Sequence, residues 1–373
     1  VEEILKFPRR KTREVPCGKL ILGGNQPIRV QSLTTTKTSD LDATRAEIRR
    51  MLDAGCELVR VAVFDIADAR ALGAVKKLLG DVPLVSDIHF NHKFALEAIE
   101  QGVDKVRLNP GNIAGLSGTF DTVGRERVRL VAEKARDRGI PMRVGVNSGS
   151  VEKDLLEKYG WATADAMVES ALRHCEHLES VGFRDIIVSI KSTNMESCIE
   201  ACEKFSAQTD FPLHLGITEA GLPEYGTIKS AIGIGTLLRQ GIGDTIRVSL
   251  TGDKVLEMQA GFDILKATGR RIREPEIIAC PACGRIAIDL EKVVKEVKDR
   301  VKDVTVPMTI SVLGCAVNGP GEAAEADVGI AGERGKGMLF RKGKFLRRVS
   351  EENMVDELEK EVRLIAAEKG TES

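Results

Sequence analysis

The chain has 373 residues, enough for two domains or one large domain with an appendage, and it can bury ample apolar surface. Its 55 Lys+Arg against 56 Asp+Glu leave no global field to attract nucleic acid or a membrane surface, and an aromatic content of 4% offers few platforms for stacked bases. No run approaches the ~18 apolar residues of a membrane span, and the opening VEEILKFPRRKTREV lacks the apolar core of a secretory signal, so a cytoplasmic location is predicted.

Residues 10–27 precede the first strand, and within them CGKLILGGNQP reads as a small hairpin placed to plug the bottom of whatever follows. From residue 28 one pattern repeats: a short β-branched run ending in polar residues, then a helical stretch. The runs are IRVQSL (28–33), LVRVAV (58–63), PLVSDIH (83–89), KVRLNP (105–110), PMRVGVN (141–147), DIIVSIK (185–191), PLHLGIT (212–218) and TIRVSL (245–250). Between them lie amphipathic segments such as ADAMVESALRHCEHLESVG, whose apolar residues recur at three and four. A strand–helix count that closes at eight predicts an α/β fold, a (β/α)8 TIM-type barrel rather than an open doubly wound sheet. The barrel domain spans 1–268 with its N-terminal hairpin, the charged GRRIREPEI (269–277) reads as a linker, and 278–373 forms a smaller α+β domain. In that last part AIDLEKVVKEVKDRVKD reads as a helix, PMTISVLG as a strand, ADVGIAGERGKGMLFRKGKFLRRV as strand-like, and a final helix starts at about 352.

Side chains alternate along a strand, so residues two apart share a face. One parity collects Arg60; Asp87 and His89; Arg107 and Asn109; Arg143 and Asn147; Ser189 and Lys191; His214 and Thr218, with Glu219 just after; and Arg247 and Ser249. These lie toward the C-terminal ends of their strands, where such barrels build active sites. Four Arg and one Lys converging there predict a small, multiply anionic substrate, because too few acids share the parity to neutralise them. Arg29 lies early in its strand and is expected to be structural. His92, His174 and His177 lie on helical segments and are expected at the surface. Glu219, in GITEAG, follows a strand end among small residues, a position suited to proton transfer.

The cysteines pose a separate problem. In CPACGR, Cys280 and Cys283 stand three apart, Cys315 follows in VLGCAVNGPGEA, and Glu322 lies seven residues beyond it across a Gly-Pro-Gly turn. Every histidine of the chain lies in the barrel region, so the small domain cannot assemble Cys3His zinc from its own residues. Three thiolates with one labile carboxylate suit a cubane iron–sulfur cluster with one open iron, while zinc with a borrowed ligand remains the alternative and a redox pair lacks its βαβ neighbour. Cys17, Cys56, Cys175, Cys198 and Cys202 read as buried small hydrophobes.

Taken together, VQSLTTTKTSD, DIHFNHKFALEAIEQGVDKVRLNPGNI, RVGVNSGSVEKDLLEKYG, PLHLGITEAG, KSAIGIGTLLRQGIGDTIRVSL, CPACGR and GCAVNGPGEA resemble the 4-hydroxy-3-methylbut-2-enyl diphosphate synthase family in its bacterial two-domain form, from about residue 8 to 365. The resemblance implies an oxidoreductase of the non-mevalonate isoprenoid pathway. It would open the ring of 2-C-methyl-D-erythritol 2,4-cyclodiphosphate with two electrons and loss of water. It further implies a 4Fe-4S cluster on Cys280, Cys283, Cys315 and Glu322, substrate binding by Arg60, His89, Arg107, Asn109, Arg143, Asn147, Lys191 and Ser249, and Glu219 as the acid. Flavodoxin or ferredoxin would supply electrons, and a homodimer would let each cluster domain cap its partner's barrel; nucleic acid and membranes play no part. Around AGLSGTFDTVG (114–124) the chain carries residues beyond the family pattern. Two other readings are a Schiff-base aldolase using Lys191 and an RNA-binding module using RKGKFLRR (341–348), a cluster that reads more simply as a solvated strand edge.

Overall fold

A computed structural model describes residues 8–113, 121–317 and 319–370. The chain divides into two compact units, with the break between Arg271 and Ile272. Residues 114–120 of the loop that exceeds the family pattern lie outside the described residues.

In the first unit, β1 (Val15–Cys17) and β2 (Leu20–Leu22) form an antiparallel hairpin. Eight parallel strands follow: β3 (Arg29–Leu33), β4 (Leu58–Ala62), β5 (Leu84–Ile88), β6 (Lys105–Leu108), β7 (Met142–Asn147), β8 (Ile186–Lys191), β9 (His214–Leu215) and β10 (Thr245–Ile246). They pair in the order β8-β7-β6-β5-β4-β3-β10-β9, and a parallel bridge between Val188 and Leu213 closes the ring. The outward set, including Val59, Val61, Val106, Val144, Val188 and Ile190, joins the apolar stripes of the surrounding helices in one core. On the inside, Val15, Cys17 and Leu22 of the hairpin pack on Leu58, Val85 and Ile187, so the hairpin plugs the barrel as the sequence predicts.

The last two strands are shorter than the runs 212–218 and 245–250 suggest. The regular ladder gives out beside Gly216, where a Cβ would stand 2.5 Å from the Lys191 ammonium and 2.6 Å from the Arg247 carbonyl oxygen. Several polar residues after strand ends are helix caps rather than site groups. Asp65, Asn91, Asn194 and Asp253 each accept a hydrogen bond from a backbone N–H in the first turn of the following helix.

The second unit is a five-stranded sheet of β11 (Glu276–Ala279), β12 (Thr309–Leu313), β13 (Val328–Glu333), β14 (Lys336–Arg341) and β15 (Lys344–Ser350), in that order. The first two pairings are parallel and the last two antiparallel. Helices Leu290–Arg300 and Met354–Gly370 bury Val293, Val297, Leu358 and Val362 against the sheet. β11 begins at Glu276, inside the stretch read as a linker, because Glu276 already pairs in register with Thr309. β15 is an edge strand whose Arg347 and Arg348 are paired with Glu357 and Glu333, as a solvated strand edge requires.

Candidate active site

The parity read from the sequence holds in three dimensions for all its members but Asn109 and His214, the latter buried with Nδ1 2.8 Å from Thr245 Oγ1. Arg60, Asp87, His89, Arg107, Arg143, Asn147, Ser189, Lys191, Thr218, Glu219, Arg247 and Ser249 line one cavity of about 300 Å³ at the C-terminal end of the barrel. Glycines on the same interior face make the room: Gly145 on β7 leaves space for the Arg107 guanidinium, and Gly216 for the Lys191 ammonium.

The cations are unequally answered. Asp87 accepts from Arg107 at 2.8 Å and lies 3.7 Å from Arg60. Burial alone would raise its pKa, but the Arg60 and Arg107 charges outweigh that and hold the carboxyl well below the usual range. Arg247 lies 3.5 Å from Glu257, a buried carboxylate on the helix Lys254–Ala267 that also takes hydrogen bonds from Lys254 and Ser32. Strand parity could not reveal Glu257, since it approaches from a helix. Arg143 and Lys191 have no acidic partner among the described residues. Arg143 is 1% exposed with Nε and Nη1 unbonded. Burial and the neighbouring Arg60 and Arg107 push its pKa well down, and burial with Arg143 and Arg247 does the same to Lys191. Arg60 is drawn down to about 10, by burial first. The site thus tolerates its own charges poorly without a counter-anion.

His89 Nε2 lies 2.7 Å from Arg107 Nη1 and its Nδ1 lies 3.0 Å from Asn112 Nδ2; both neighbours are donors, and a neutral imidazole can accept from only one of them. Glu219 is exposed at the mouth and holds a positive φ of 54°, a conformation costly for a residue with a Cβ and one that concentrates at functional sites. Asn109 is buried but does not line the cavity; its amide donates to Ser150 Oγ at 2.8 Å and so steadies the turn after Asn147. Arg29 pairs with Glu57, a structural role. His174 corrects the expectation of a surface group. It is buried against Glu152, because its helix turns this face to the loop that follows β7. Lys105, two residues before Arg107 and so on the same interior face, lies at the start of β6, away from the strand ends where parity places site groups.

In the second unit, Ala279 at the end of β11 pairs with Val312 of β12, so Cys280 and Cys315 emerge at one edge of the sheet. Cys280 and Cys315 are half-buried and Cys283 is exposed, whereas the five remaining cysteines are buried. The Gly314 N–H donates to Cys280 Sγ at 3.3 Å, and Ala282 between the paired cysteines has a φ of 56°. Glu322 is exposed, on the helix Gly319–Ala324. Among the described residues no three potential ligands stand close enough together to hold a metal ion.

A plugged parallel barrel opening on an under-neutralised cationic cavity, with a second unit presenting accessible thiols, defines an anion-binding barrel protein with an appended cysteine domain. The family model described as the GcpE TIM-barrel domain matches residues 12–262, and that of the GcpE protein C-terminal domain matches 276–364; the chain belongs to the GcpE family. It is similar to 4-hydroxy-3-methylbut-2-en-1-yl diphosphate synthase (flavodoxin) of Bacillus cytotoxicus, at 53% identity over 96% of this chain and 95% of that protein. The protein of the same name from Bacillus mycoides is 52% identical over 98% and 97%. Among solved structures, dihydropteroate synthase of Stenotrophomonas maltophilia aligns with a TM-score of 0.49 and 13% identity over 69% of this chain and 98% of that one, a likeness that carries no argument about chemistry.

Proposed function

We propose that the chain carries out the reaction for which its relatives are named, the reductive ring opening of 2-C-methyl-D-erythritol 2,4-cyclodiphosphate to 4-hydroxy-3-methylbut-2-enyl diphosphate, as a cytoplasmic oxidoreductase of isoprenoid precursor synthesis. The observation that carries this reading is the cavity lined by Arg60, Arg107, Arg143, Lys191 and Arg247, in which Arg143 and Lys191 have no acid of their own among the described residues. A cyclic diphosphate supplies the missing negative charge, and guanidinium groups pair with its oxygens bidentately. Asn147, Ser249 and His89 hydrogen-bond the hydroxyls and bridging oxygens, Asn109 holds the turn that carries Asn147, and Glu219 at the rim donates the proton that leaves with the hydroxyl as water.

The donor set of the second unit fits a 4Fe-4S cluster. Its three accessible cysteines lie at or beyond the ends of two adjacent parallel strands, and a backbone N–H already donates to one sulfur. Cys280, Cys283 and Cys315 would hold it with Glu322 as a fourth, weaker ligand. Such a cluster supplies electrons singly and a Lewis-acidic iron to an oxygen that is otherwise a poor leaving group. Exposed Phe64 and Phe90, just after β4 and β5, give the barrel mouth an apolar rim suited to capping by the second unit of a partner in a homodimer. Electrons would come from flavodoxin, as the names of the relatives indicate, or from a ferredoxin.

Anaerobic purification should give a brown protein with iron and sulfide in equal amounts, and dithionite with a mediator should drive turnover of the cyclodiphosphate. Glu219→Gln should retain iron and substrate affinity while losing turnover. A colourless, zinc-loaded protein of full activity would refute the cluster, and trapping of Lys191 by borohydride with a carbonyl substrate would favour an aldolase instead.

A further inference from the structure

Lys105 is fully buried on the interior face of β6, and its ammonium nitrogen has no hydrogen-bond partner among the described residues. It lies one layer below Arg107, in a part of the barrel that branched aliphatic side chains ordinarily fill. The groups around it give it no counter-charge. Cys17 of the plugging hairpin is a thiol that burial pushes up to about 11. Arg60 from β4 and Arg143 from β7 are cationic, and Arg107 precedes the mouth on its own strand. His214 from β9 is driven well below its ordinary pKa by burial, with Arg143, Lys191 and Lys105 adding to the effect. Asp104, next to it in sequence, is committed to Lys76 and the Leu84 N–H, and Asp87, in register with Arg107 on the adjacent strand, to Arg107 and Arg60.

An ammonium sealed in such a place is destabilised by desolvation and by its cationic neighbours alike, and both effects ease when negative charge arrives above it. We propose that Lys105 is a charge-compensating residue of the site, giving up its proton in the substrate-free barrel under mildly alkaline conditions and regaining it from solvent when the diphosphate settles among Arg60, Arg107 and Arg143, so that there substrate binds together with a proton. This rests on the reading of the cavity as a diphosphate site. Lys105 touches no reacting atom in this scheme; it acts through the charge balance of the residues that do.

Burial lowers Lys105 to about 8, with the surrounding cations adding to the effect. Below that pH the side chain is already charged and binding needs no proton. Above it, each molecule of substrate must bring one in, so uptake grows with pH and affinity falls by up to about tenfold per pH unit. The test is calorimetric titration of the oxidised holoenzyme with cyclodiphosphate, without reductant, in two buffers of different ionisation enthalpy between about pH 7 and 9. Wild type should show uptake rising toward one proton per site. Lys105→Met and Lys105→Arg, one never charged and the other always, should both lose that increment and bind with a flatter pH dependence. Lys105→Met should also melt no lower than wild type, since a buried unpaired cation has been removed. No uptake in wild type, or uptake undiminished in the variants because Lys191 is the acceptor, overturns the proposal. Inorganic diphosphate serves as a second probe. If it binds with a Lys105-dependent proton while the cyclodiphosphate does not bind, the charge compensation stands and the substrate assignment fails.

Discussion

In the barrel, Arg60, Arg107 and Arg143 sit within β4, β6 and β7, whereas in the second unit Cys283 and Cys315 lie past the ends of β11 and β12 and Cys280 stands immediately after Ala279. The strand residues inherit their aim from the ladder: Arg107 pairs in register with Arg143, and Asp87 with Arg107, so the cavity exists before any ligand enters it. The cysteines lie in the turns that follow the strands, with the Gly314 N–H on Cys280 Sγ, and the described side chains do not converge. One site is preorganised by hydrogen-bonded backbone and strained by its own charge. The other brings its donors to a common edge and leaves the final geometry to the bound group.

The largest effect that tests this contrast is the loss of a thiol. Replacing Cys280, Cys283 or Cys315 with Ala should abolish iron retention and turnover together, while the iron-free protein still binds cyclodiphosphate in calorimetry. Loss of substrate affinity along with the iron would show that the barrel site is not independently formed.

Removal of a mouth cation should have a graded effect. Arg143→Ala takes away a charge-assisted contact worth about 1.5–3 kcal/mol, a fall of roughly 10- to 150-fold in kcat/KM. Iron content should be unchanged, and thermal stability should rise or hold, because the variant also relieves an uncompensated buried charge. Unaltered affinity would remove Arg143 from the substrate site.

A smaller change probes the space around these cations. Gly216→Ala puts a methyl 2.5 Å from the Lys191 ammonium and 2.6 Å from a backbone carbonyl that cannot easily retreat, so it should destabilise the barrel by about 1–3 kcal/mol and raise KM more than it lowers kcat. If stability and kinetics both stayed at wild-type values, the close approach at Gly216 would not be what shapes the cavity.

The contrast also explains which features were legible in the sequence. Strand parity exposes the mouth because a period of two is rigidly obeyed, and it carried Arg60, Arg107, Arg143 and Lys191 to one cavity without knowledge of the loops. It fails for groups that approach from another element: Glu257 reaches Arg247 from a helix, and His174 turns inward to Glu152 from another. The amphipathic pattern of that helix does not distinguish a polar group bound to a loop from one in water. In the second unit the spacing of the cysteines identifies donors, but nothing in CPACGR states where a turn will point them. The final barrel strands are shorter than their sequence runs for a related reason, since β-branched runs such as TIRVSL continue past the last laddered residue, Ile246.

The smallest expected effect lies in that turn. Ala282 holds φ at 56° between two cysteines, a left-handed conformation that costs an alanine about 1–2 kcal/mol. Glycine would relieve the cost but regain freedom in the unfolded chain worth about 0.4–1 kcal/mol, so Ala282→Gly should leave the melting temperature of the iron-free protein within a few degrees of wild type. The turn itself should loosen, because alanine disfavours excursions that glycine permits once the left-handed state is left. If the thiols depend on this turn for their aim, the variant should lose iron to a chelator faster than wild type while its substrate affinity and iron-free stability stay the same. Equal rates of iron loss would mean that the sheet edge and the Gly314 N–H are sufficient to position Cys280 and Cys283, and the second unit would then be as preorganised as the first.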